Sequence, residues 1–388
     1  MDKSNVKGTR DFLPEDMRKR EYLKNLILDA YQKYGYQLIQ TPILENLENL
    51  TKSEGGENLA LIFKILKRGN KLDKALKSGT EDENELCDIG LRYDLTLPLS
   101  RFFANNRNDL EMPFRSIQIG NVYRAENTQK GRFREFIQCD IDIIGEPKNY
   151  AEIELILATT RALEALGLKN FTVLVNDRKN LFEMYQEAGF SDLGKFNQFC
   201  IELDKLDKIG KEKVISNIAG LGLEKKAAAD FFANLEEHRG NDNIRNIINT
   251  LKEIRGDEIV RYEPSLVRGL GYYTGTIFEI VSSDFKGSIA GGGRYDGMIS
   301  AFGKGDEVIP AIGFSIGFER IYELMKDKLT LPEENSAYFS EEEKLIRNLK
   351  NLEARRDKGE RITFYLRGKK SGKLMNRLEE KGFKIEKD

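Results

Sequence analysis

Alternation between apolar and polar side chains is clearest in the run Phe133-Arg134-Glu135-Phe136-Ile137-Gln138-Cys139-Asp140-Ile141-Asp142-Ile143-Ile144. Successive side chains of a β-strand point to opposite faces, so this run predicts a strand with one apolar face. The other face carries Gln138, Asp140 and Asp142. Two carboxylates that close repel each other unless a cation or ligand lies between them, which favours a ligand floor. The alternative is an antiparallel sheet whose polar face lies in water.

A second strand-like run, Arg115–Arg124, comes before the first, and Ala125–Arg132 separates the two. This spacing predicts a β-hairpin with a long, glycine-containing tip. Arg124 and Glu126 lie at its mouth, opposite the basic residues Lys130, Arg132 and Arg134. Cations therefore gather where an anion could bind, although a solvated basic tip is the alternative.

Outward from the hairpin, periodicity and turn residues predict the remaining elements. In the first part of the chain they are an amphipathic helix over 15–34, a β-like run over 36–44 in which Pro42 favours an edge or interface strand, a surface loop over 67–86, a strand over 91–96 leading through Pro98 into a helix, a helix over 151–166 and a strand over 171–176. A helical insertion over about 181–258 and returning strands over 266–321 follow. Residues 326–388 are predicted to form a highly charged linker, over 333–360, and then a small α/β piece.

Composition excludes several classes of protein. The 388 residues carry 62 Lys and Arg against 64 Asp and Glu, a net charge of −2, which excludes a histone-like or polybasic protein. Three Cys and one His predict neither a disulfide framework nor a zinc site. No run approaches the ~18 apolar residues of a membrane span, so we expect a cytoplasmic protein without membrane contact.

Two glycine-rich runs follow the insertion. Leu266–Ile280 places Arg268, Tyr272 and Tyr273 among three glycines, and Gly287–Gly297 contains Gly291-Gly292-Gly293. Glycine within a strand indicates a bulge or close approach of backbone to a ligand, with a twisted hairpin as the alternative. Neither run matches a P-loop or a Rossmann fingerprint, so an ATP site here would bind phosphates through arginine.

These motifs, in this order, resemble those of the class II aminoacyl-tRNA synthetases, and within them the histidyl-tRNA synthetase family. The resemblance covers about residues 6–325. It rests on Lys7-Gly8-Thr9-Arg10-Asp11-Phe12-Leu13-Pro14, Leu91-Arg92-Tyr93-Asp94-Leu95-Thr96, the hairpin from Val122 to Asp142, Arg268-Gly269-Leu270-Gly271-Tyr272-Tyr273-Thr274-Gly275, and Gly317-Phe318-Glu319-Arg320.

The resemblance implies an α+β fold: a six-stranded antiparallel sheet flanked by helices, with a helical insertion and a short C-terminal α/β piece. It implies a homodimer built partly on the Pro42 region, and a ligase that uses ATP with Mg²⁺, and no zinc, to activate L-histidine and transfer it to the 3′ end of histidine tRNA. The implied catalytic residues are Arg124 and Arg268. The implied ATP-binding residues are Arg124, Glu126, Phe136, Arg268 and Arg320, and the implied histidine-binding residues are Asp94, Thr96, Gln138, Asp142, Tyr272 and Tyr273.

The sequence departs from the family pattern in two places. Gly271 stands where many members carry Asp, which puts one local hydrogen bond in doubt. Members usually end in an anticodon-binding domain of about a hundred residues, whereas the piece after Met325 is shorter, so we expect weak or absent anticodon contact. That shortening leaves an alternative, the synthetase-like regulatory subunit of ATP phosphoribosyltransferase, which binds histidine without charging tRNA. A further alternative is a paralogue that keeps adenylation but has lost tRNA charging.

Overall fold

The computed structural model describes residues 2–52, 56–128, 131–235, 237–267, 272–302, 307–331 and 335–388, which fall into two compact units, 1–327 and 328–388. The described strands of the first unit are β1 (Gln37–Leu38), β2 (Leu44–Asn46), β3 (Lys64–Leu66), β4 (Cys87–Leu91), β5 (Phe114–Tyr123), β6 (Glu135–Ile144), β7 (Phe171–Asp177), β8 (Val260–Tyr262), β9 (Thr276–Ser282), β10 (Phe285–Arg294) and β11 (Ala311–Gly317).

Helices surround these strands. In chain order they are α1 (Pro14–Gln32), α2 (Leu47–Lys52), α3 (Asn70–Lys77), α4 (Glu83–Leu86), α5 (Thr96–Asn106), α6 (Tyr150–Ala165), α7 (Arg178–Glu187), α8 (Phe196–Leu203), α9 (Leu206–Ile209), α10 (Lys211–Gly220), α11 (Lys225–Leu235), α12 (Asp242–Arg255), α13 (Asp296–Ser300) and α14 (Phe318–Met325). In the part of the chain just described, no helix combines the length and the apolar character that crossing a membrane requires.

The main sheet has the strand order β1-β5-β6-β11-β10-β9-β7-β8. Its six inner strands pair antiparallel throughout, which confirms the expected six-stranded antiparallel sheet. A short parallel strand is added at each edge, β1 beside β5 and β8 beside β7. A smaller antiparallel sheet, β2-β4-β3, carries the segment that leads into α5.

The two faces of the main sheet differ in character. Cys139, Ile141 and Ile143 of β6 are fully buried on one face, against which α1 and α6 pack. Pro14 occupies the first turn of α1, where its missing N–H is tolerated. The opposite face carries Gln138 and its two acidic neighbours, and these too are buried. The polar face is therefore covered by protein, and the solvent-facing alternative for this strand is wrong.

Helices α7–α12 lie between β7 and β8; α7–α11 enclose a core rich in aromatic residues, whereas α12 packs against α6, β7 and β8. Asp177 caps α7, accepting a hydrogen bond from the Lys179 N–H at 2.8 Å. Gly256 ends α12 in the left-handed conformation, with φ of +74°, which glycine adopts without strain. Leu266 and Val267, just after the insertion, pack into this same core.

Four local expectations are wrong. Residues 67–86 contain α3 and α4, because polar sequences also form exposed helices when no Pro interrupts them. No strand covers 91–96: β4 ends at Leu91, where the expected strand was to begin, and a turn then leads into α5. Strand β9 begins only at Thr276, later than the pattern from Leu266 indicates. Pro42 lies between two short strands, β1 and β2, and not within one.

The second unit is a small parallel α/β structure. Its elements are β12 (Ser336–Ser340), α15 (Leu345–Arg356), β13 (Ile362–Leu366), α16 (Ser371–Glu379) and β14 (Lys384–Lys387), with the strand order β13-β12-β14. Ala337, Phe339, Met375 and Leu378 form its buried core. The charged stretch expected to be a linker therefore contains a strand and a helix, because the run Ala337-Tyr338-Phe339 forms a central strand that is buried on both faces.

Candidate active site

Glycines on β10 and β11 leave room for polar side chains to lie against the buried polar face of the main sheet. Asp142 on β6 is directly opposite Gly313 on β11, which is directly opposite Gly293 on β10. A Cβ atom at Gly313 would overlap the Asp142 carboxylate, and one at Gly293 would lie 2.8 Å from the Tyr273 ring. Larger residues at either position would displace these polar side chains, which explains the glycines without any P-loop.

Three carboxylates converge on this floor. Asp94, Asp140 and Asp142 are each less than 5% exposed. Burial raises the pKa of Asp94 to about 6, and burial raises the pKa of Asp140 to about 7, with the charge of Asp94 adding to that rise. Burial, followed by repulsion from Asp140, raises the pKa of Asp142 well above its ordinary value. Such a group of acids favours a cationic ligand that relieves both desolvation and mutual repulsion.

Two of these carboxylates present oxygens to which the structure assigns no hydrogen-bond partner. Asp142 accepts a hydrogen bond from the Tyr295 hydroxyl at 2.7 Å through Oδ1, whereas Oδ2 is buried and unpartnered. Asp94 accepts from the Leu97 N–H at 3.2 Å through Oδ1, and its Oδ2 is likewise buried and unpartnered. Buried polar atoms are nearly always paired, so both oxygens are available to a polar ligand.

A wall of tyrosines stands beside Asp142. The rings of Tyr272 and Tyr273 lie 4.7 Å apart, and Tyr272 meets Tyr295 edge to face at 6.3 Å. Tyr295 is almost fully buried and follows β10 directly. The sequence singled out Tyr272 and Tyr273 but missed Tyr295, although Tyr295 lies two residues after the triple glycine. Aromatic faces together with a carboxylate suit a flat ring that carries N–H donors.

The turn after β4 delivers Asp94 and Thr96. Arg92 anchors this turn by donating to the carbonyls of Thr41 and Asn121, each at 2.8 Å. Thr96 opens α5 and is partly exposed. Because Asp94 sits in a turn that a buried arginine fixes, its carboxylate needs little rearrangement to receive a ligand.

Arg124 connects this pocket to the hairpin. Its Nε donates to the Tyr93 carbonyl at 2.9 Å, and a terminal nitrogen lies 3.5 Å from the Gln138 side-chain oxygen. The guanidinium carbon lies 5.2 Å from the centre of the Phe136 ring. Gln138 also donates to the Ser315 hydroxyl at 2.8 Å. Arg124 thus lies beside both the Phe136 ring and the Gln138 amide, and Gln138 in turn donates to Asp140 at 3.3 Å.

The remaining predicted nucleotide residues are placed differently. Glu126 pairs with Arg132 at 3.3 Å, and Arg320 donates to the Ser288 carbonyl with its guanidinium 6.0 Å from the Phe285 ring. In this structure Phe136 therefore contacts Arg124, whereas Arg320 contacts Ser288 and Phe285, and ATP binding by Phe136 and Arg320 stays a prediction. Arg268, with Gly271, lies outside the described residues, as does Lys130.

The N-terminal motif is tied to the last motif through a buried acid. Glu319 receives two hydrogen bonds from Arg20, at 2.8 and 2.7 Å, and also pairs with Arg10. The Arg10 guanidinium lies 3.5 Å from the centre of the Phe133 ring, at the base of the hairpin. Sequence reasoning gave Glu319 no role, yet it joins α1, α14 and the hairpin beside the pocket.

The antiparallel sheet with its hairpin arginine and buried acidic floor defines the catalytic domain of a class II aminoacyl-tRNA synthetase. A model of the family described as histidyl-tRNA synthetase matches residues 8–321. The histidine–tRNA ligase of Leifsonia xyli is 42% identical over 347 residues, covering 82% of this chain and 79% of the relative. The probable histidine–tRNA ligase of Tropheryma whipplei is 40% identical over 84% of this chain and 81% of the relative. The chain belongs to the histidyl-tRNA synthetase family.

Solved structures are similar in fold. Histidyl-tRNA synthetase from a Nostoc species aligns with a TM-score of 0.78 at 24% identity, over 99% of this chain and 90% of that one. A Bacillus halodurans protein described as an ATP phosphoribosyltransferase regulatory subunit/histidyl-tRNA synthetase aligns with a TM-score of 0.79 at 20% identity, over 99% of this chain and 98% of that one. At these identities the similarity shows the fold alone.

Proposed function

We propose that this chain is a histidine–tRNA ligase: it activates L-histidine with ATP to give histidyl-adenylate and diphosphate, then transfers the histidyl group to the 3′ end of histidine tRNA. The observation that carries the proposal is the pair of buried, unpartnered oxygens on Asp94 and Asp142, two carboxylates close enough for their charges to interact. Histidine has two nitrogen-bearing ends, an α-ammonium and an imidazole, and so can satisfy both oxygens.

The pocket suggests how each end of histidine would bind. The α-ammonium would donate to Asp94, with Thr96 and Gln138 alongside. The imidazole would donate to Asp142 and rest against Tyr273, while Tyr295 holds the other carboxylate oxygen. An analogue lacking a ring nitrogen would leave a buried carboxylate oxygen unpaired, at a cost of about 1–3 kcal/mol.

Activation of histidine by ATP requires positively charged groups around the α-phosphate and needs no residue that transfers a proton. The histidine carboxylate attacks the α-phosphorus of ATP, the bond from that phosphorus to the bridging oxygen breaks, and diphosphate leaves with the electron pair. Negative charge builds on the α-phosphate oxygens, where Arg124 and Arg268 would stabilise it. Glu126 would receive the adenine amino group, and Phe136 and Arg320 would contact the adenine ring.

Magnesium would accompany the nucleotide and withdraw charge from its phosphate oxygens. Among the residues that the structure describes, no group of three or more His, Cys, Asp or Glu side chains is arranged to hold a metal ion. Mg²⁺ commonly keeps several waters and binds mainly phosphate oxygens in such sites, so the protein need supply few ligands.

A homodimer formed partly through the Pro42 region is the assembly we propose. Leu38, Ile43 and Leu44 are 53%, 41% and 52% exposed around that proline, at the edges of both sheets of the first unit. Clustered exposed apolar residues of this kind are typical of interaction surfaces.

The second unit would correspond to a shortened anticodon-binding region. The protein would be located in the cytoplasm, where tRNA is charged.

The regulatory-subunit alternative is weaker. A protein that only senses histidine needs no arginine beside the carboxylate pocket, yet Arg124 is held there by the Tyr93 carbonyl. Curated relatives that are 35–42% identical are also named histidine–tRNA ligase.

Amino-acid-dependent exchange between ATP and labelled diphosphate, followed by tRNA charging, tests the proposal. We expect exchange with histidine and not with the other nineteen amino acids, and charging of histidine tRNA. Histidine binding without exchange would favour the regulatory alternative, and exchange without charging would favour a paralogue with another acceptor.

A further inference from the structure

The N-terminal motif supplies none of the proposed substrate contacts, yet its first part lies against the hairpin between β5 and β6. Thr9 closes a tight turn over residues 6–9, the N-terminal turn, since its N–H and its hydroxyl both donate to the Val6 carbonyl, at 2.9 and 2.8 Å. Gly8 lies inside this turn with a φ of +89°, a left-handed conformation that glycine adopts without strain. Its carbonyl accepts a hydrogen bond from the Arg134 N–H at 2.9 Å. The N-terminal turn is therefore a backbone partner of the hairpin.

Arg134 connects the N-terminal turn to the proposed nucleotide end of the site. Its carbonyl accepts from the Arg124 N–H at 2.9 Å, and its Nε donates to the Glu126 carbonyl at 3.2 Å. The regular pairing of β5 with β6 runs only as far as Tyr123 and Glu135. Beyond that pair, the backbone that carries the two proposed ATP-binding residues is held on this side through Arg134, and the N-terminal turn in turn holds Arg134.

The N-terminal turn packs so closely on the hairpin that position 8 has no room for a side chain. A Cβ atom on Gly8 would lie 2.7 Å from the Cγ atom of Arg134 and 2.7 Å from the Cγ2 atom of Thr128. Carbon atoms that are not bonded pack at about 3.5–4.0 Å, so both contacts would be strongly repulsive. Both atoms lie only two bonds from a Cα atom, so the overlap is relieved mainly by moving the turn away from the hairpin.

Arg10, which follows the N-terminal turn, anchors it to the body of the first unit. Its guanidinium lies 3.5 Å from the centre of the Phe133 ring and pairs with the carboxylate of Glu319, in α14. Arg20, in α1, pairs with the same carboxylate at 2.7 Å. Because α1 and α14 pack against the main sheet, the N-terminal turn links the hairpin to fixed helices.

We propose that the N-terminal turn positions Arg124 and Glu126 for the activation step, with Gly8 as its determining residue. The inference rests on the proposed function, because it takes Arg124 as an α-phosphate ligand. Guanidinium groups stabilise developing charge best when they are held in place before the reaction, so a displaced hairpin weakens that stabilisation. Asp94 lies in the turn after β4, and Asp142 lies in the middle of β6 with a paired strand on each side, so histidine binding should change little.

Gly8→Ala tests this role in the full-length protein, and Gly35→Ala is its matched control. Gly35 follows α1 with a φ of +80°, and a Cβ atom there would meet no atom of the described residues within 4 Å apart from its chain neighbours. The control therefore introduces the same backbone strain without the contact. We expect Gly8→Ala to lower kcat of ATP–diphosphate exchange about tenfold, with KM for histidine within about twofold of the parent. The loss is partial because the Leu61 carbonyl also holds the Ala125 N–H, at 2.8 Å. Gly35→Ala should exchange near the parent rate.

A double-mutant cycle with Arg124→Ala shows whether the effect passes through that arginine. Adding Gly8→Ala to Arg124→Ala should lower kcat by less than about twofold more. Full additivity would overturn the inference. Equal losses from Gly8→Ala and Gly35→Ala would also overturn it, and so would a rise in KM for histidine as large as the fall in kcat.

Thr9→Val is a milder second variant, which removes the hydroxyl that closes the N-terminal turn but keeps the shape of the side chain. We expect it to lower kcat about two- to threefold. It decides the test if Gly8→Ala melts below the assay temperature, and an unchanged kcat would then overturn the inference. Near-parent exchange by Arg124→Ala would overturn it as well, whereas absence of exchange in the parent protein would overturn the proposed function itself.

Discussion

The two ends of the candidate active site are built differently. At the proposed histidine end, Asp140 and Asp142 lie in the middle of a central strand and are nearly inaccessible, with Tyr295 holding one of them. At the proposed nucleotide end, Arg124 and Glu126 follow the end of β5 and remain partly exposed. The proposed histidine end is therefore formed by buried side chains of a central strand, and the proposed nucleotide end by residues at strand ends and in loops.

This contrast follows from what each end must do. Discriminating a small amino acid requires buried polar groups that stay unpaired when the wrong side chain enters, and only a rigid interior provides them. A triphosphate must enter and diphosphate must leave, so its ligands belong at an open edge. There Glu126 already pairs with Arg132, and Arg320 with the Ser288 carbonyl, partners that a bound nucleotide would replace.

The largest expected effect is at the boundary between the two ends. Arg124→Ala should lower kcat of exchange by about 10²–10³, because a fixed charge facing the α-phosphate is lost. Arg124→Lys is the matched control: it keeps the charge but cannot stack on Phe136 as a planar group, so an intermediate loss is expected. Histidine binding, followed by calorimetry, should change far less. Exchange by Arg124→Ala at close to the parent rate would remove this arginine from the mechanism.

Asp142→Asn should act at the histidine end alone. We expect KM for histidine to rise about 10- to 100-fold, since a hydrogen bond to a charged group contributes about 1.5–3 kcal/mol. KM for ATP should stay within about twofold, because Phe136, the proposed nucleotide contact on the same strand, lies six residues from Asp142 and the other proposed contacts lie on other segments. Thienylalanine, which has no ring N–H, checks the reason: the variant should distinguish it from histidine less well than the parent does. A comparable rise in KM for ATP would show that the two ends are not separate.

Acidification should weaken histidine binding through the same pocket. Burial raises the pKa of Asp94 to about 6 and that of Asp140 to about 7, and the ammonium group of the ligand favours their ionised forms. Both carboxylates are ionised above pH 7 and become protonated as the pH falls through 7 and 6, so affinity should fall about tenfold between pH 8 and 5.5. Calorimetry at pH 6.5 in two buffers should show proton release on binding. Asp94→Asn controls for titration of histidine itself, and an unchanged pH profile in that variant would exclude Asp94.

Local patterns predicted the elements whose side chains repeat regularly. The alternation in β6 placed Gln138, Asp140 and Asp142 on one face, and the structure confirms that arrangement. Helix α1 was found from its apolar spacing. Sequence alone left open whether the polar face met water or a ligand, because burial depends on α5 and α13, which pack over it from distant parts of the chain.

Contacts between distant segments were not predictable. Tyr295 and Asp142 are 153 residues apart, and only the pairing of β10, β11 and β6 brings them together. The triple glycine was a usable signal: it indicated a close approach at this point, but not which side chain approached. Glu319 carried no local signal, since its two arginine partners lie near the N-terminus.

The smallest expected effect is at the exposed hairpin tip. Arg132 is 43% exposed and pairs with Glu126, and such surface pairs contribute about 0–1 kcal/mol, so Arg132→Ala should leave the melting temperature nearly unchanged. If the tip meets the outer phosphates of ATP, the variant should raise KM for ATP about two- to fivefold, an effect that added salt mimics in the parent. Arg361→Ala, on the second unit, is the matched surface control. An unchanged KM for ATP together with a raised KM for tRNA would instead assign the tip to tRNA binding. Arg132 would then not be one of the cations that bind the nucleotide.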